Sequence, residues 1–278
     1  MPDIGLALSG GGAAGLGHIP ILEAFDELGV RPAMMAGTSM GALIGAAYAA
    51  GMSASAIRAH IIEMAENPLA SVRNFLKQSN FSSFKSLTSL DAHAAVATAL
   101  PKNLPRRIDD LVIPFTIVAT DFYGRSTHYF NKGELAHALA ASIAIPGVFE
   151  PVRLGTRVFV DGGVTNNCPI DAVASADILV AVDVVSGPPS NISNQPSQKT
   201  IVLESMRTMM RARLESQLKT LRNVILLEPE TRQFGPLEFH KVKDILAVGA
   251  PMRELTKRQI ARAVEQHDGQ RIEHAPGK

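Results

Sequence analysis

The residues most able to do chemistry form the run Gly37-Thr38-Ser39-Met40-Gly41, which has the pattern G-x-S-x-G. An apolar stretch precedes the serine, and small residues with helical spacing follow it. A strand that turns sharply into a helix would expose the Ser39 hydroxyl at the strand tip. Gly37 and Gly41 leave room where a Cβ would clash, and a helix N-terminus favours negative charge there. The pattern predicts a nucleophilic serine; the alternative is a chance match of five residues.

A second glycine-rich run follows a short apolar stretch at the N-terminus. Its spacing, G-x-G-x-x-G, is also that of a dinucleotide-binding loop. A dinucleotide site normally has an acidic residue at the end of the second strand, but this chain has the Ser39 segment there. We therefore interpret the loop as an oxyanion hole in which backbone N–H groups converge on one oxygen, with Gly11 and Gly12 as the best donors. The loop consists of Gly10, Gly11, Gly12, Ala13, Ala14 and Gly15.

A serine hydroxyl needs a base in order to act as a nucleophile. Asp161 is the best candidate, because a predicted strand ends at this carboxylate and Gly162 and Gly163 open space beside it. Its alternative role is that of a turn former. Asp121 and Asp183 also follow predicted strands, but neither precedes paired glycines, which favours turn or capping roles for them.

Histidine is the usual base for a catalytic serine, and the chain contains eight histidines. In the order Ser, acid, His that is typical of α/β-hydrolases, His240, His267 and His274 follow Asp161. His240 begins a predicted helix, and the other two lie in a charged tail where surface histidines are expected. The sequence therefore favours Asp161 over a histidine as the base.

The elements that must position these residues alternate between strands and helices. Strands are expected at residues 4–8, 33–36, 111–119, 126–130, 148–154, 157–160, 178–185 and 223–227. Helices are expected at 16–28, 42–50, 53–66, 134–143, 201–221 and 239–266, the last bent near Pro251. This alternation predicts an α/β fold with a parallel or mixed sheet covered on both faces. Segment 69–105 is either a cover over the site or an ordinary connection.

Composition narrows the class of protein. The chain has 278 residues, of which 46% are hydrophobic, which suffices for one large core. A net charge of +1 gives no signal for nucleic acid, so we expect no nucleic-acid partner. Cys168 is the only cysteine, which excludes an internal disulfide and fits a reducing compartment. The N-terminus lacks the pattern of a secretory signal, so we expect a cytoplasmic protein.

Two stretches raise the question of membrane contact. Residues 33–52 carry no charge and could span a bilayer by length, but their glycines favour a strand and a buried helix. The helix predicted at 201–221 has an apolar stripe with basic residues nearby, so it could bind anionic lipid at the inner membrane face. A stripe that packs on the core is the commoner structure and the preferred interpretation. The stripe comprises Leu203, Met206, Met210, Leu214 and Leu221, and the basic residues are Arg207, Arg211, Arg213, Lys219 and Arg222.

The three motifs, in this order, resemble the patatin-like phospholipase family, and especially its bacterial single-domain members. The resemblance covers roughly residues 4–186 and includes the segments 141–146 and 166–169. It implies an α/β patatin-like three-layer sandwich, with a mostly parallel central sheet covered by helices on both faces. Residues 1–190 would form the catalytic domain, and residues 191–278 a C-terminal extension packed on it.

The resemblance also implies an activity. A serine acyl hydrolase of the phospholipase A, lysophospholipase or carboxylesterase class would cleave lipid esters through a Ser39–Asp161 dyad and an acyl-enzyme, without metal or cofactor. Asn166 and Asn167 would support the site. One residue departs from the family pattern, because Ala14 stands where the family often has arginine or lysine. That departure motivates the alternative of a catalytically weak lipid-binding or regulatory protein. The oligomeric state stays open.

Overall fold

The computed structural model describes residues 2–67, 90–187 and 195–273. Within these residues, eight strands form one mixed sheet. The strands are β1 (Ile4–Leu8), β2 (Met34–Thr38), β3 (Phe115–Asp121), β4 (Ser126–Phe130), β5 (Val152–Leu154), β6 (Arg157–Asp161), β7 (Ile178–Val182) and β8 (Val224–Leu227). Their order is β5-β6-β3-β2-β1-β7-β8, and β4 pairs with β3.

Helices cover both faces of this sheet. They are α1 (His18–Leu28), α2 (Met40–Ala49), α3 (Ala54–Glu66), α4 (Ala92–Ala99), α5 (Leu135–Ser142), α6 (Gln198–Leu218), α7 (Val242–Gly249) and α8 (Pro251–Glu273). A 3-10 turn, Gly12–Gly17, precedes α1, so the α-helix begins at His18, two residues after the start predicted at residue 16. The predicted break at Pro251 separates α7 from α8, because proline lacks the N–H that would continue the ladder.

The direction of the strands places the candidate residues at one edge of the sheet. The strands β3, β2, β1, β7 and β8 run parallel, so their carboxyl ends lie at the same edge. Ser39 follows β2 at that edge. The strands β4, β5 and β6 are antiparallel to their neighbours. Therefore β6 starts at that edge and runs back, which brings Asp161, its last residue, to the level of Ala119 on β3.

Alternate side chains of the central strands pack on opposite faces. Leu6 and Leu8 of β1 belong to a large core with residues of α1 and α2. Ala7 belongs to a smaller core on the other face, which includes Leu214 of α6. Burial on both faces is typical of parallel strands. The helix–sheet–helix layering confirms the predicted patatin-like three-layer fold.

The C-terminal part of the chain packs directly on the rest. Strand β8 extends the sheet beyond β7, α8 packs along α1, and α7 packs on the 3-10 turn Gly12–Gly17. The apolar stripe of α6 faces the protein, since Leu214 is buried and Leu221 packs against the smaller core. The described residues 195–273 therefore share the core of residues 2–187.

Two other stretches can be compared with the sequence predictions. Residues 33–52 form β2 and α2, and no helix in the described ranges combines the length and apolar character needed to cross a bilayer. Of the segment 69–105, residues 69–89 lie outside the described residues. The remainder contains α4, which buries Ala94 and Val96 and packs against α5.

Candidate active site

Ser39 occupies a strained turn between β2 and α2. Its backbone has φ 53° and ψ −120°, a region that side chains with a Cβ rarely adopt and that costs on the order of 1–3 kcal/mol. The residue is 5% exposed. Strain at a serine on a strand-to-helix turn is the geometry expected of a nucleophile elbow.

Glycines allow the chain to approach itself closely around this turn. A Cβ on Gly37 would lie 2.5 Å from the carbonyl oxygen of Gly41. A Cβ on Gly41 would collide with the carbonyl of Leu8, and one on Gly162 with the carbonyl of Val118. The elbow, the end of β1 and the turn after β6 are therefore packed backbone to backbone, as the predicted roles of these glycines require.

Strand register explains why Ser39 and Asp161 meet. Thr38 pairs with Val118 in the parallel ladder of β2 and β3, and Ala119 pairs with Asp161 in the antiparallel ladder of β3 and β6. Ser39 directly follows Thr38, and Ala119 directly follows Val118. Ser39 and Asp161 therefore lie at the same level on either side of β3.

The Asp161 carboxyl is buried and only partly satisfied. Its Oδ1 accepts a hydrogen bond of 2.7 Å from the Gly163 amide, whereas its Oδ2 has no hydrogen-bond partner among the described residues. Burial raises the pKa of Asp161 to about 6, and the nearby Ser39 hydroxyl and the Gly163 amide oppose this rise. Catalytic hydrogen bonds are often loose before substrate binds. A buried carboxyl with this raised pKa can accept a proton near neutral pH.

The segment at the end of α5 holds both residues by their backbones. The buried Ser142 hydroxyl accepts a 2.8 Å hydrogen bond from the Ser39 amide and donates one of 2.6 Å to the Val118 carbonyl. The Asp161 amide donates to the Ala144 carbonyl at 2.9 Å. Sequence reasoning assigned no role to this segment; the available signal was a serine among apolar residues in a stretch resembling the family.

The glycine loop lies beside the nucleophile, but part of it is already bonded. The Gly10 amide donates to the Asn167 carbonyl at 3.1 Å, and the Ala13 amide donates to the Pro236 carbonyl at 2.9 Å. These bonds exclude Gly10 and Ala13 as oxyanion donors in this arrangement, which corrects that part of the prediction.

The amides of Gly11 and Gly12 remain available. Neither has a hydrogen-bond acceptor among the described residues. The loop starts next to the elbow, because a Cβ on Gly10 would lie 3.0 Å from Ser39 Cβ. A carbonyl oxygen of a substrate bound at Ser39 could therefore accept from these amides.

The other residues of the loop are buried. Ala14 and Gly15 lie inside the 3-10 turn Gly12–Gly17, and both residues are buried. A Cβ on Gly12 would collide with Pro236, so residues near 236 cover the loop. The Ala14 side chain is fully buried, so this position faces the packed interior.

Asn166 and Asn167 join the loops around the site. The Thr38 hydroxyl donates to the Asn166 carbonyl at 2.9 Å, and Asn167 Nδ2 donates to the Gly10 carbonyl at 3.3 Å. A Cβ on Gly10 would lie 2.8 Å from Asn167 Oδ1, and one on Gly163 would lie 3.0 Å from it. Asn167 thus sits between the glycine loop and the Asp161 turn.

In the ranges the structure describes, no histidine hydrogen-bonds to Ser39 or Asp161. His240 is exposed, His267 lies near the end of α8, and His274 falls outside the described residues. The geometry therefore brings Ser39 together with a carboxylate and not with an imidazole.

One histidine does lie close to the glycine loop. His18 Nε2 donates to the Ser9 carbonyl at 2.8 Å, and a Cβ on Gly15 would lie 3.9 Å from its ring. Burial lowers the pKa of His18 to about 4. The ring is consequently neutral near pH 7, and its Nε2 is hydrogen-bonded to the backbone carbonyl of Ser9.

The other acidic candidates have structural roles. Asp121 accepts a 2.9 Å hydrogen bond from the Gly124 amide in a turn. Asp183 accepts from the Val185 amide and the Ser186 hydroxyl. No cluster of three or more potential metal-ligating side chains was found within the described residues.

Comparison with known proteins places this geometry in a family. The family model of the patatin-like phospholipases matches residues 6–174. An NTE family protein of Mycobacterium tuberculosis, Rv1063c, is 34% identical over 191 residues, which is 66% of this chain and 49% of that relative. Patatin-like phospholipase domain-containing protein 6 of Homo sapiens is 31% identical over 195 residues, 68% of this chain and 14% of that protein.

Two solved structures are among those to which the chain is similar. ExoU, in the ExoU–SpcU complex of Pseudomonas aeruginosa, has a TM-score of 0.47 at 18% identity, covering 95% of this chain and 52% of that chain. VipD from Legionella pneumophila has a TM-score of 0.44 at 14% identity, covering 88% and 67%. The family match extends from β1 through the Ser39 elbow to beyond Asp161, and the chain belongs to the patatin-like phospholipase family.

Proposed function

We propose that this protein is a serine acyl hydrolase that cleaves carboxylic esters of lipids through Ser39 and Asp161. The observation that carries the proposal is a strained serine at the same level of the sheet as a buried, partly unsatisfied carboxyl. Family membership supports a lipid substrate. The chain matches only part of each of these two curated relatives, so the activity and the substrate of the whole protein are proposals.

The first chemical step is acylation. Asp161 takes the proton from the Ser39 hydroxyl as the oxygen attacks the ester carbonyl carbon. The carbonyl oxygen becomes an oxyanion, which accepts hydrogen bonds from the Gly11 and Gly12 amides. The bond between the acyl carbon and the alcohol oxygen then breaks, and protonated Asp161 gives its proton to the leaving alcohol oxygen. The product is an acyl ester on Ser39.

The second step is deacylation by water. Asp161 removes a proton from water, which attacks the acyl carbonyl through the same oxyanion position. The bond to Ser39 breaks, Asp161 returns the proton to the Ser39 oxygen, and the carboxylic acid leaves. An ordinary aspartate with a pKa near 4 would be a weak base, so the raised pKa of Asp161 brings it closer to the operating pH.

The direct test replaces each member of the dyad. Ser39→Ala and Asp161→Asn should each lower ester turnover by about four orders of magnitude, measured on phospholipids, lysophospholipids and p-nitrophenyl esters. A fluorophosphonate probe should label the wild type and not Ser39→Ala. Circular dichroism controls for folding. Near-normal turnover in either folded variant would remove the dyad.

The alternative of a lipid-binding protein without efficient chemistry rests on Ala14. In this structure the Ala14 side chain is fully buried, so the departure changes the packed interior next to the loop and leaves the Gly11 and Gly12 amides in place. Purified protein that retains lipid but cleaves no ester in the panel, and resists the fluorophosphonate probe, would favour this alternative.

A peripheral membrane contact is also proposed, through the exposed apolar residues Val202 and Met209 of α6. Two of the basic residues expected from the sequence to bind lipid form ion pairs within the protein: Arg207 pairs with Glu204, and Arg211 pairs with Glu215. Val202→Asp and Met209→Asp should reduce co-sedimentation with anionic vesicles. Thr220→Asp, at an exposed position beyond the end of α6, is the charge-matched control.

A further inference from the structure

An apolar cavity of about 330 Å³ lies between α2, α3 and α4. Its volume falls at the lower end of the range for small-molecule sites. None of its described lining residues is Asp, Glu, Lys or Arg, and most are aliphatic. Six of them come from α2, α3 and the end of α4: Met40, Leu43, Ala47, Ile61, Ala65 and Leu100. The ligand that suits this lining is apolar and uncharged.

One lining residue of the cavity, Met40, directly follows the nucleophile Ser39 in the chain. Helix α2 starts at Met40, directly after Ser39, and Met40, Leu43 and Ala47 recur on one face of it. The seven residue-to-residue steps from Met40 to Ala47 span about 10 Å along the helix. Met40 packs against the glycine loop, since a Cβ on Gly15 would collide with its side chain. One wall of the cavity therefore runs from the elbow away from the catalytic edge.

The polar side chains that line the cavity do not favour a polar ligand. His60 Nε2 donates to the Ala99 carbonyl at 2.9 Å. His240 and Phe239 are exposed and stand at the rim. A phosphate or other charged headgroup would find no cation among the described lining residues. The wall that starts at the elbow instead fits a chain whose one polar end lies at Ser39.

We propose that this cavity binds the acyl chain of the ester substrate, with the carboxyl end at Ser39 and the methyl end between α3 and α4. This assignment rests on the proposed function, because the acyl carbonyl is fixed at the nucleophile. It makes Ala47 and Ala65 determinants of acyl-chain length, since their small side chains keep the cavity open.

The kinetic test uses a series of p-nitrophenyl esters with unbranched acyl chains. Burial of each added methylene should raise kcat/KM about fourfold until the cavity is filled. Ala65→Phe at the far end, and Ala47→Leu on α2, should move the optimum to shorter chains and lower the long-to-short ratio of kcat/KM by on the order of tenfold. Ala59→Phe, on the exposed side of α3, is the matched control and should keep the wild-type profile.

A binding test separates this proposal from the proposed function. Ser39→Ala should bind dodecanoate, measured by displacement of a fluorescent fatty acid, and the additional Ala65→Phe change should weaken that binding while Ala59→Phe does not. If the wild type cleaves no ester but this pattern holds, the hydrolase proposal fails and the cavity assignment stands. If esters are cleaved with no dependence on chain length, or Ala65→Phe and Ala47→Leu both behave like Ala59→Phe, the assignment is overturned.

Discussion

Ser39 combines reactivity with backbone strain, and the strain can be measured. Its positive φ of 53° favours glycine. The free energy of unfolding of Ser39→Gly should therefore exceed that of Ser39→Ala by about 1 kcal/mol. This difference already includes the entropy cost of glycine. Urea unfolding of the two variants measures the difference.

The matched pair for this comparison is Ser55→Gly and Ser55→Ala in the first turn of α3, where the backbone is helical. There the order should reverse, with alanine the more stable by about 0.5–1 kcal/mol. If alanine were more stable than glycine at both positions, Ser39 would carry no backbone strain.

Asp161 should destabilise the fold while serving the reaction. Its pKa is raised from 3.8 to about 6 in the folded state, so the folded protein binds more protons than the unfolded chain between those values. Stability associated with this group is therefore lost as pH rises through 6. Asp161→Asn should raise the free energy of unfolding by up to about 3 kcal/mol near pH 8.

That gain should shrink as pH falls below 6 and disappear below about 4, where Asp161 is protonated in both states. Chemical denaturation of both proteins across this range measures the effect. A stability difference independent of pH, or a loss of stability in Asp161→Asn at high pH, would contradict the burial of an ionisable carboxyl at this position.

At the residue scale, the sequence predicted those candidate side chains whose signals are local. Ser39 lies between two glycines at a strand end, and Asp161 precedes two more. Ser142 has no such local signal, because its role depends on accepting from an amide 103 residues away. The bonds that occupy the Gly10 and Ala13 amides likewise come from distant segments, so donor selection within the loop required the structure.

At the scale of elements, α5 positions the elbow through Ser142. Ser142→Ala would leave the buried Ser39 amide without an acceptor, at a cost of about 1–3 kcal/mol. We expect a lower kcat with KM nearly unchanged, because the loss affects the position of the nucleophile. Steady-state kinetics with a short p-nitrophenyl ester, together with urea unfolding, measures both effects.

A suitable comparison is Thr98→Ala in α4, where the hydroxyl donates to the Ala94 carbonyl of its own helix. Its removal leaves no backbone amide unpaired, so kcat should stay at the wild-type value. Equal kinetics for Ser142→Ala and wild type would contradict the positioning role.

The types of the elements could be predicted from hydrophobic periodicity and from the glycines and prolines that end helices and strands, since buried parallel strands and capped helices leave local patterns. Sheet order did not follow, because β6 must cross to the far side of β3 before it can present Asp161. The antiparallel register of β6 against β3 depends on side-chain packing and on the close approach at Gly162. The meeting of the two residues was therefore a hypothesis that only the topology could evaluate.

At the scale of the whole molecule, the C-terminal third of the chain completes the core. Ile245, Leu246 and Ile260 are buried in the large core, and each contributes about 2–3 kcal/mol on burial. Since typical domains have net stabilities of only about 5–15 kcal/mol, a chain ending at residue 190 should not unfold cooperatively. Thermal unfolding followed by circular dichroism tests this; a sharp, reversible transition in the shortened chain would contradict it.

The sequence could not reveal this interdependence because residues 191–278 contain no recognisable motif. Their contribution lies in long-range contacts: Pro236 covers the glycine loop, and α8 packs along α1. The acyl-chain cavity is similarly formed by helices that are separate in the chain. Spatial adjacency of this kind has no periodic pattern.

The most direct test of the central claim is the pH dependence of fluorophosphonate labelling, which requires no knowledge of the natural substrate. The labelling rate should rise about tenfold per pH unit below an inflection near pH 6, level off above it, and vanish in Ser39→Ala. The labelling rate of Asp161→Asn should be lower by at least about a hundredfold, and its pH profile should show no inflection near pH 6. Labelling of Ser39 that keeps its rate and pH profile in Asp161→Asn would contradict the account.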